Sequence, residues 1–204
     1  MTLAILGGSN LATALGNKYI GRGMDVVFGL RDGFSSRQVA WKMLKMQNHN
    51  MLGFQEAIDK ADVVFICCEN EILPAVCHAI NQADTSNKLF VDCTNGQSDP
   101  ELGCNTTYIQ TLTNNPIVFK AFNNLGLDYP KSDPLELVKE TYFCGDGLEH
   151  RLLLKRLIEL IGFKAIDAGK LKNACLLEAV YHLRREISHV KNGQGDFHFK
   201  LMSV

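Results

Sequence analysis

The first stretch able to do chemistry is "LAILGGSNLATALG", residues 3–16: an apolar run, two glycines, then small residues at helical spacing. A dinucleotide-binding turn reads G-x-G-x-x-G/A. Its first glycine makes the tight turn, its second lets backbone approach a pyrophosphate, and its third allows close helix–strand packing. Gly7 and Ala12 stand in the first and third places, and Ser9, preceded by Gly8, takes the second. The Ser9 side chain occupies space near the phosphates, while its hydroxyl can donate a hydrogen bond to them. The N–H groups of Ser9, Asn10 and Leu11 are expected to point outward at a helix N-terminus, where anions are favoured. A purely structural turn, or a site for another phosphate ligand, is the other reading of so short a motif.

The end of the second apolar run selects the nucleotide. An NAD enzyme places Asp or Glu there for the ribose hydroxyls, but in "GMDVVFGLRDG" the position is Leu30. Arg31 follows, with Ser35, Ser36 and Arg37 close behind. A guanidinium and hydroxyls beside a helix start make a clamp for the 2′-phosphate of NADP. Asp32 is the opposing signal, since one step of register brings it to the ribose. No Ser/His/Asp set, carboxylate pair or zinc-type Cys/His cluster is present, so no catalytic residue and no metal ligand are assigned. Lys120, Tyr108 and His182 are the conceivable proton donors. Lys120 lies in a strand-like run and His182 on a helix rich in Arg, Glu and Lys, so both are expected on the surface. His198 is expected to be structural.

The elements that must position these residues alternate along the chain. "TLAIL", "DVVFGL", "ADVVFICC", "NKLFVDC", "PIVFKAF", "ETYFCG" and "FKAIDAG" read as strands. Helices are expected from Asn10 to Tyr19 or beyond, from Ser36 to about Gln47, in "EILPAVCHAINQA", in "GLEHRLLLKRLIELIG" and from Lys172 to Val190. Ser35 or Ser36 is the expected cap of the second helix. This order predicts an α/β fold, a doubly wound, mostly parallel sheet with a C-terminal helical extension. One domain of 204 residues is expected, with a nucleotide-binding core over about 1–125 and a strand-and-helix part over about 126–204. "LDYPKSDP" is the expected loop between the two parts. The last helix carries Leu176, Val180, Leu183 and Ile187 at helical spacing, with Leu177 and Tyr181 alongside. That stripe packs on the sheet or forms a dimer seam.

A formal charge of −1 gives no electrostatic case for nucleic acid or an anionic membrane. No apolar run reaches the length of a membrane span, and no basic segment at the start leads into a secretory apolar one. Seven cysteines without metal or redox spacing read as reduced, mostly buried thiols of a cytoplasmic protein.

Taken together, several stretches resemble the deazaflavin-dependent NADP oxidoreductase family, which also supplies the NADPH-binding domain of the six-transmembrane metalloreductases. The turn "GGSNLA" is similar to the G-x-G-N-M-G turn of the related pyrroline-5-carboxylate reductases. The other matching stretches are "DVVFGLR", "ADVVFICC", "LFVDCTN", "VFKAFNNLG", "YFCGDGLEHRLLLKRLIELIGF", "IDAGKLKNACLLEAV" and "GDFHFKLM", in family order. The most specific are "KAFN", from Lys120 to Asn123, and the pattern from Asp167 to Glu178. The resemblance implies a Rossmann-type fold holding NADP(H) through Gly7, Gly8, Ser9, Asn10 and Leu11, with Arg31, Ser36 and Arg37 on the 2′-phosphate. Cys67, Cys68 and Glu69, together with Ala121, Phe122 and Asn123, would flank the ribose and nicotinamide. It also implies a flavin or deazaflavin as hydride acceptor, and often a homodimer. Ser9, Asp32 and Glu69 are its departures from the family pattern. The function implied is hydride transfer between NADP(H) and a flavin-type acceptor. A reductase of a small imine or ketone, or a non-catalytic NADP redox sensor, are the alternatives.

Overall fold

The computed structural model describes residues 1–47, 49–96, 103–114, 116–129, 137–191 and 197–201. Most of the "LDYPKSDP" loop and three residues of "GDFHFKLM" lie outside them. The elements run β1 (Thr2–Leu6), α1 (Asn10–Ile20), β2 (Asp25–Gly29), α2 (Val39–Met46), β3 (Met51–Leu52), α3 (Phe54–Lys60), β4 (Val63–Ile66) and α4 (Leu73–Gln82). There follow β5 (Leu89–Asp92), α5 (Asn105–Leu112), β6 (Ile117–Ala121), β7 (Glu140–Gly145), α6 (Leu148–Leu160), β8 (Lys164–Asp167) and α7 (Ala174–Val190). The strands form one sheet in the order β3-β2-β1-β4-β5-β6-β7-β8. Its first six strands follow the 3-2-1-4-5-6 order of the Rossmann fold, with the chain reversing direction across the sheet between β1 and β4.

Burial explains why these strands read as continuous apolar runs. Leu3, Ile5, Val63 and Phe65 pack into one layer with Leu11, Leu15 and Tyr19 of α1. Ala4, Leu6, Val64 and Ile66 pack into the opposite layer with Ala57 and Ile58 of α3 and Val76 and Ile80 of α4. With both faces covered, no polar alternation is possible. β6 and β7 pair antiparallel, and β7 pairs parallel with β8, so the sheet runs without a break across residue 125.

Three local differences from the sequence reading have physical reasons. α2 starts at Val39 rather than Ser36, because the Ser36 hydroxyl accepts the Gln38 N–H at 3.2 Å and holds the chain in a turn. β3, α3 and α5 were not anticipated: β3 has two residues, and α5, "NTTYIQTL", is rich in residues of low helix propensity. α7 buries Ala174, Leu177, Glu178 and Arg184, whereas Leu176 and Leu183 are exposed and Val180 and Ile187 half-buried. The apolar stripe is therefore only partly covered, through Val180 and Ile187, while Leu177 beside it packs into the core layer.

Candidate cofactor-binding site

The glycine turn lies at the C-terminal end of β1, between β2 and β4. Gly7 has φ +114°, and a Cβ there would lie 2.5 Å from the Cys67 carbonyl oxygen, so the turn and the end of β4 touch through backbone. A Cβ on Gly8 would lie 2.3 Å from the Phe34 ring, which covers this glycine and meets the Trp41 ring edge-on. Trp41 Nε1 donates to the Gly8 carbonyl at 3.1 Å. Ser9 is buried; its Oγ donates to the Cys67 carbonyl at 2.7 Å and accepts the Ala12 N–H at 3.2 Å as the α1 cap. Its one hydroxyl proton is thus committed inside the protein. Leu11 corrects the sequence reading: its N–H donates to the Leu127 carbonyl at 3.1 Å instead of pointing outward. Among the described residues no hydrogen bond engages the N–H groups of Gly8, Ser9 or Asn10. These three N–H groups lie at the N-terminal end of α1, where the helix dipole favours an anion.

Three cavities run in series past this turn. The first, about 520 Å³, is lined by Leu30, Arg31, Asp32, Ser35, Ser36, Trp41, Lys42 and Lys45 among others. The second, about 310 Å³, shares Leu30, Arg31 and Phe34 with the first and adds Gly7, Gly8, Glu69 and Glu71. The third, about 830 Å³, shares Glu69 and Glu71 with the second and adds Asn70, Asn95, Gly96, Tyr181, His182, Arg184 and Arg185. Arg31 and Ser36 line the first cavity and Glu69 the second and third, while Arg37 lines none of the three. Lys42 and Lys45 were missed. They stand three apart on α2, and that spacing behind the second strand was the available signal.

Lys120 is the largest correction. It is fully buried, not a surface residue. Its Nζ donates to Asp92 Oδ2 at 2.6 Å, to the Thr94 carbonyl at 2.7 Å and to Glu178 Oε1. Lys120 and Asp92 are register partners on adjacent parallel strands, and Glu178 comes from α7. The two most specific stretches of the sequence, "KAFN" and the pattern ending at Glu178, meet in this ion cluster. Asp92 also accepts from Thr94 N at 2.9 Å, Thr94 Oγ1 at 2.7 Å and Thr106 Oγ1 at 2.7 Å. Glu178 accepts Gly96 N at 2.7 Å and Asn105 N, at the start of α5, at 3.1 Å. Asn105 Nδ2 donates to Asn70 Oδ1 at 2.8 Å and to Thr94 Oγ1 at 2.7 Å. The cluster thereby fixes the loops after β4 and β5 relative to each other. Burial pulls the Lys120 pKa down, but the Asp92 and Glu178 carboxylates outweigh it and leave the ammonium above its ordinary value.

The other positions contribute backbone more than side chain. The thiols of Cys67 and Cys68 are fully buried, and burial pushes the pKa of each well above its ordinary value. Ala121 and Phe122 are fully buried as well. Phe122 holds φ +64°, and its ring packs between Phe65 and Phe163. This left-handed residue turns the chain sharply after β6 and delivers Asn123 to the loop after β5. Asn123 Nδ2 donates to the Thr94 carbonyl at 2.9 Å and to Asn95 Oδ1 at 2.8 Å. Asn95 Nδ2 and Asn123 Oδ1 are buried and have no partner among the described residues. Of the three conceivable proton donors, only His182 lines the third cavity; Tyr108 is exposed on α5. Among the described residues no group of three or more His, Cys, Asp or Glu could hold a metal, and no helix is long and apolar enough to cross a membrane.

The chain is similar over 181 residues to metalloreductase STEAP3 of Rattus norvegicus, at 25% identity, covering 87% of this chain and 36% of that protein. Metalloreductase STEAP2 of Homo sapiens matches at 22% over 185 residues, 87% of this chain and 35% of that one. The chain thus spans about a third of the length of the curated relatives it matches. Among solved structures, a candidate F420-dependent NADP-reductase from Arthrobacter sp. FB24 superposes with a TM-score of 0.80 at 18% identity, covering all of both chains. A reductive aminase from Aspergillus terreus, solved with NADPH and ethyl levulinate, superposes with a TM-score of 0.65 at 13% identity, over 94% of this chain and 62% of that one. Residues 2–96, from β1 through the loop after β5, match the model of the family described as NADP oxidoreductase, coenzyme F420-dependent. The matched stretch builds the glycine turn and most of the walls of the first two cavities.

Proposed function

We propose that this chain is an NADPH-dependent oxidoreductase that passes hydride to a flavin- or deazaflavin-type ring. The observation that carries the reading is the row of three cavities sharing lining residues, with cations at one end and a glycine turn in the middle. In this assignment Arg31, Lys42 and Lys45, with the hydroxyls of Ser35 and Ser36, hold the 2′-phosphate in the first cavity. The N–H groups of Gly8, Ser9 and Asn10 meet the pyrophosphate. The nicotinamide reaches the third cavity past Glu69, Asn70 and Asn95. Bound NADPH supplies a hydride there. The protein's part is to hold two rings in contact and exclude water, which needs orientation rather than an acid–base pair. A cavity of about 830 Å³ suits a ring-sized second substrate. His182 on its wall is the one feature that favours the second reading, a small imine or ketone protonated as it is reduced.

Calorimetric titration tests the nucleotide. NADPH is expected to bind at least about tenfold tighter than NADH, and Arg31→Ala with Lys42→Ala is expected to erase that preference, since each charge-assisted phosphate contact is worth about 1.5–3 kcal/mol. Preference for NADH, or no binding of either, overturns the reading. NADPH oxidation that requires added flavin or deazaflavin supports the ring acceptor; oxidation with an imine alone supports the second reading.

The same reading includes a homodimer through α7. Leu176, Val180, Leu183, Ile187 and Val190 follow one another at spacings of four and three, the rhythm of a helix-pairing seam, and the first, third and fifth are exposed. Sedimentation is expected to give twice the 22.7 kDa of one chain, and Leu183→Glu is expected to give monomers. A wild-type monomer at tens of micromolar overturns the seam.

A further inference from the structure

We infer that Cys104 and Cys175 form a peroxide-oxidisable dithiol, a modification site that closes into a disulfide between α5 and α7. Cys104 immediately precedes α5 as its cap residue, and Cys175 is the second residue of α7. The fold brings both to one hydroxyl: Cys104 Sγ lies 3.4 Å and Cys175 Sγ 4.0 Å from Thr107 Oγ1. The two thiols also hydrogen-bond to each other. Their meeting is held in register, because Glu178, one turn along α7 from Cys175, accepts the N–H of Asn105, the neighbour of Cys104. Among the described residues Cys175 is the one exposed thiol, while Cys104 is 4% exposed. The other five, Cys67, Cys68, Cys77, Cys93 and Cys144, are buried. One sulfur therefore meets solvent beside a shielded one, the arrangement of an attacked thiol and its resolving partner.

The exposed Cys175 sulfur, as thiolate, is the one a peroxide reaches. Its electron pair forms an S–O bond and breaks the O–O bond of hydrogen peroxide. The hydroxide released takes up the thiol proton as water, and Cys175 is left as a sulfenic acid. The Cys104 sulfur then attacks the Cys175 sulfur. The S–S bond forms, the S–O bond breaks, and the departing hydroxide takes the Cys104 proton as a second water. The two thiols have then lost two electrons and two protons, and the peroxide has been reduced to two waters. Burial pushes the Cys104 thiol up, its hydrogen bond with Cys175 adds to that, and the Thr107 hydroxyl and N–H only partly oppose it. Cys104 is thus a poor first target, but contact with its partner gives the second step a high effective concentration. The disulfide closes a loop of about 70 residues. It ties to α5 the start of the helix that carries Tyr181, His182 and Arg184 of the third cavity. Its formation draws on neither NADPH nor the hydride acceptor.

The test treats the reduced, folded protein with hydrogen peroxide and maps its peptides by mass spectrometry without reductant. A disulfide joining Cys104 to Cys175 is expected, two hydrogens lighter than the thiol pair and reversed by dithiothreitol. The five buried cysteines are expected to remain thiols that alkylate once the chain is unfolded. The oxidised protein is expected to melt about 5–10 °C above the reduced one, since the crosslink restricts the unfolded chain. Cys175→Ser is expected to abolish both changes. Cys104→Ser places a favoured capping residue at the head of α5, and is expected to leave Cys175 as a sulfenic acid that dimedone traps. Crosslinks between two chains through Cys175, sulfinic acid at Cys175 of the wild type in place of a disulfide, or no reaction overturns the inference. A disulfide that forms only alongside oxidation of the buried five reports unfolding, and overturns it too. So does an oxidised protein that melts at or below the reduced one, because the bond would then not fit the fold.

Discussion

Lys120→Met is expected to lower the stability of the fold by about 3–5 kcal/mol, the cost of removing one partner from a buried ion pair. Asp92 and Glu178 would then face each other without the ammonium that both bind, in a region where neither has access to water. For a chain of this size the loss corresponds to a fall of about 10 °C in the melting temperature. Thermal unfolding followed by circular dichroism checks it. The triple variant Lys120→Met, Asp92→Asn, Glu178→Gln separates charge from shape: it is expected to recover part of the loss, because no unpaired ion is left behind. The pH dependence has a definite sign. The Lys120 pKa is raised in the folded protein, so its contribution is complete below the unfolded lysine value of about 10.4 and fades as pH rises through the folded value. The deficit of Lys120→Met is therefore expected to stay constant through neutral pH and to shrink only in strong alkali. A single variant that melts within 2 °C of wild type would show the cluster to be dispensable.

Gly7→Ala is the second large expected effect. At φ +114° an alanine is strained, and its Cβ would lie 2.5 Å from the Cys67 carbonyl oxygen and 2.7 Å from Cys68 Cα. Both are backbone atoms at the end of a central strand, so neither can swing aside. Strain and overpacking together are expected to cost about 3 kcal/mol or more. The folded fraction that remains is expected to bind NADPH at least about tenfold more weakly, since relief of the clash moves the N–H groups of Gly8 and Ser9. Gly23→Ala is the internal control. That residue has φ +77° with nothing within 4 Å of the added carbon, so only the conformational term of about 1 kcal/mol applies and NADPH binding is expected unchanged. Similar losses for both variants would show that the contact with Cys67 contributes nothing.

The strands of the nucleotide-binding part were legible because each is covered on both faces and reads as an unbroken apolar run. The glycine turn was legible because its geometry admits few residue types. Lys120 was misread as a surface residue because a lysine in a strand-like run ordinarily marks a wet face. In a sheet covered on both sides, a lysine in "PIVFKAF" and an aspartate ending "LFVDC" each need a buried partner, and their matching places in neighbouring strands were the signal. Glu178 lies 58 residues from Lys120 along the chain, and no local pattern carries such a pairing. The cavity walls on α2 shifted for a different reason. A serine hydroxyl competed with the helix for the Gln38 N–H and moved the helix start, which turned Lys42 and Lys45, rather than Arg37, toward the first cavity. The roles of Ser9 and Leu11 depended on distant carbonyls, those of Cys67 and Leu127, which only the folded chain brings near.

The reach of Glu178 bears on how the chain is made. The first 125 residues to be synthesised carry six parallel-paired strands and the glycine turn, yet within them Lys120 lacks one of its two counter-ions. The β5 loop likewise lacks the acceptor for the Gly96 N–H. Both gaps close only when residue 178 has left the ribosome and α7 has docked. The last long helix therefore supplies the closing contacts of the buried charge cluster, and a chain cut upstream of Glu178 has neither the second carboxylate of Lys120 nor the acceptor of the Gly96 N–H.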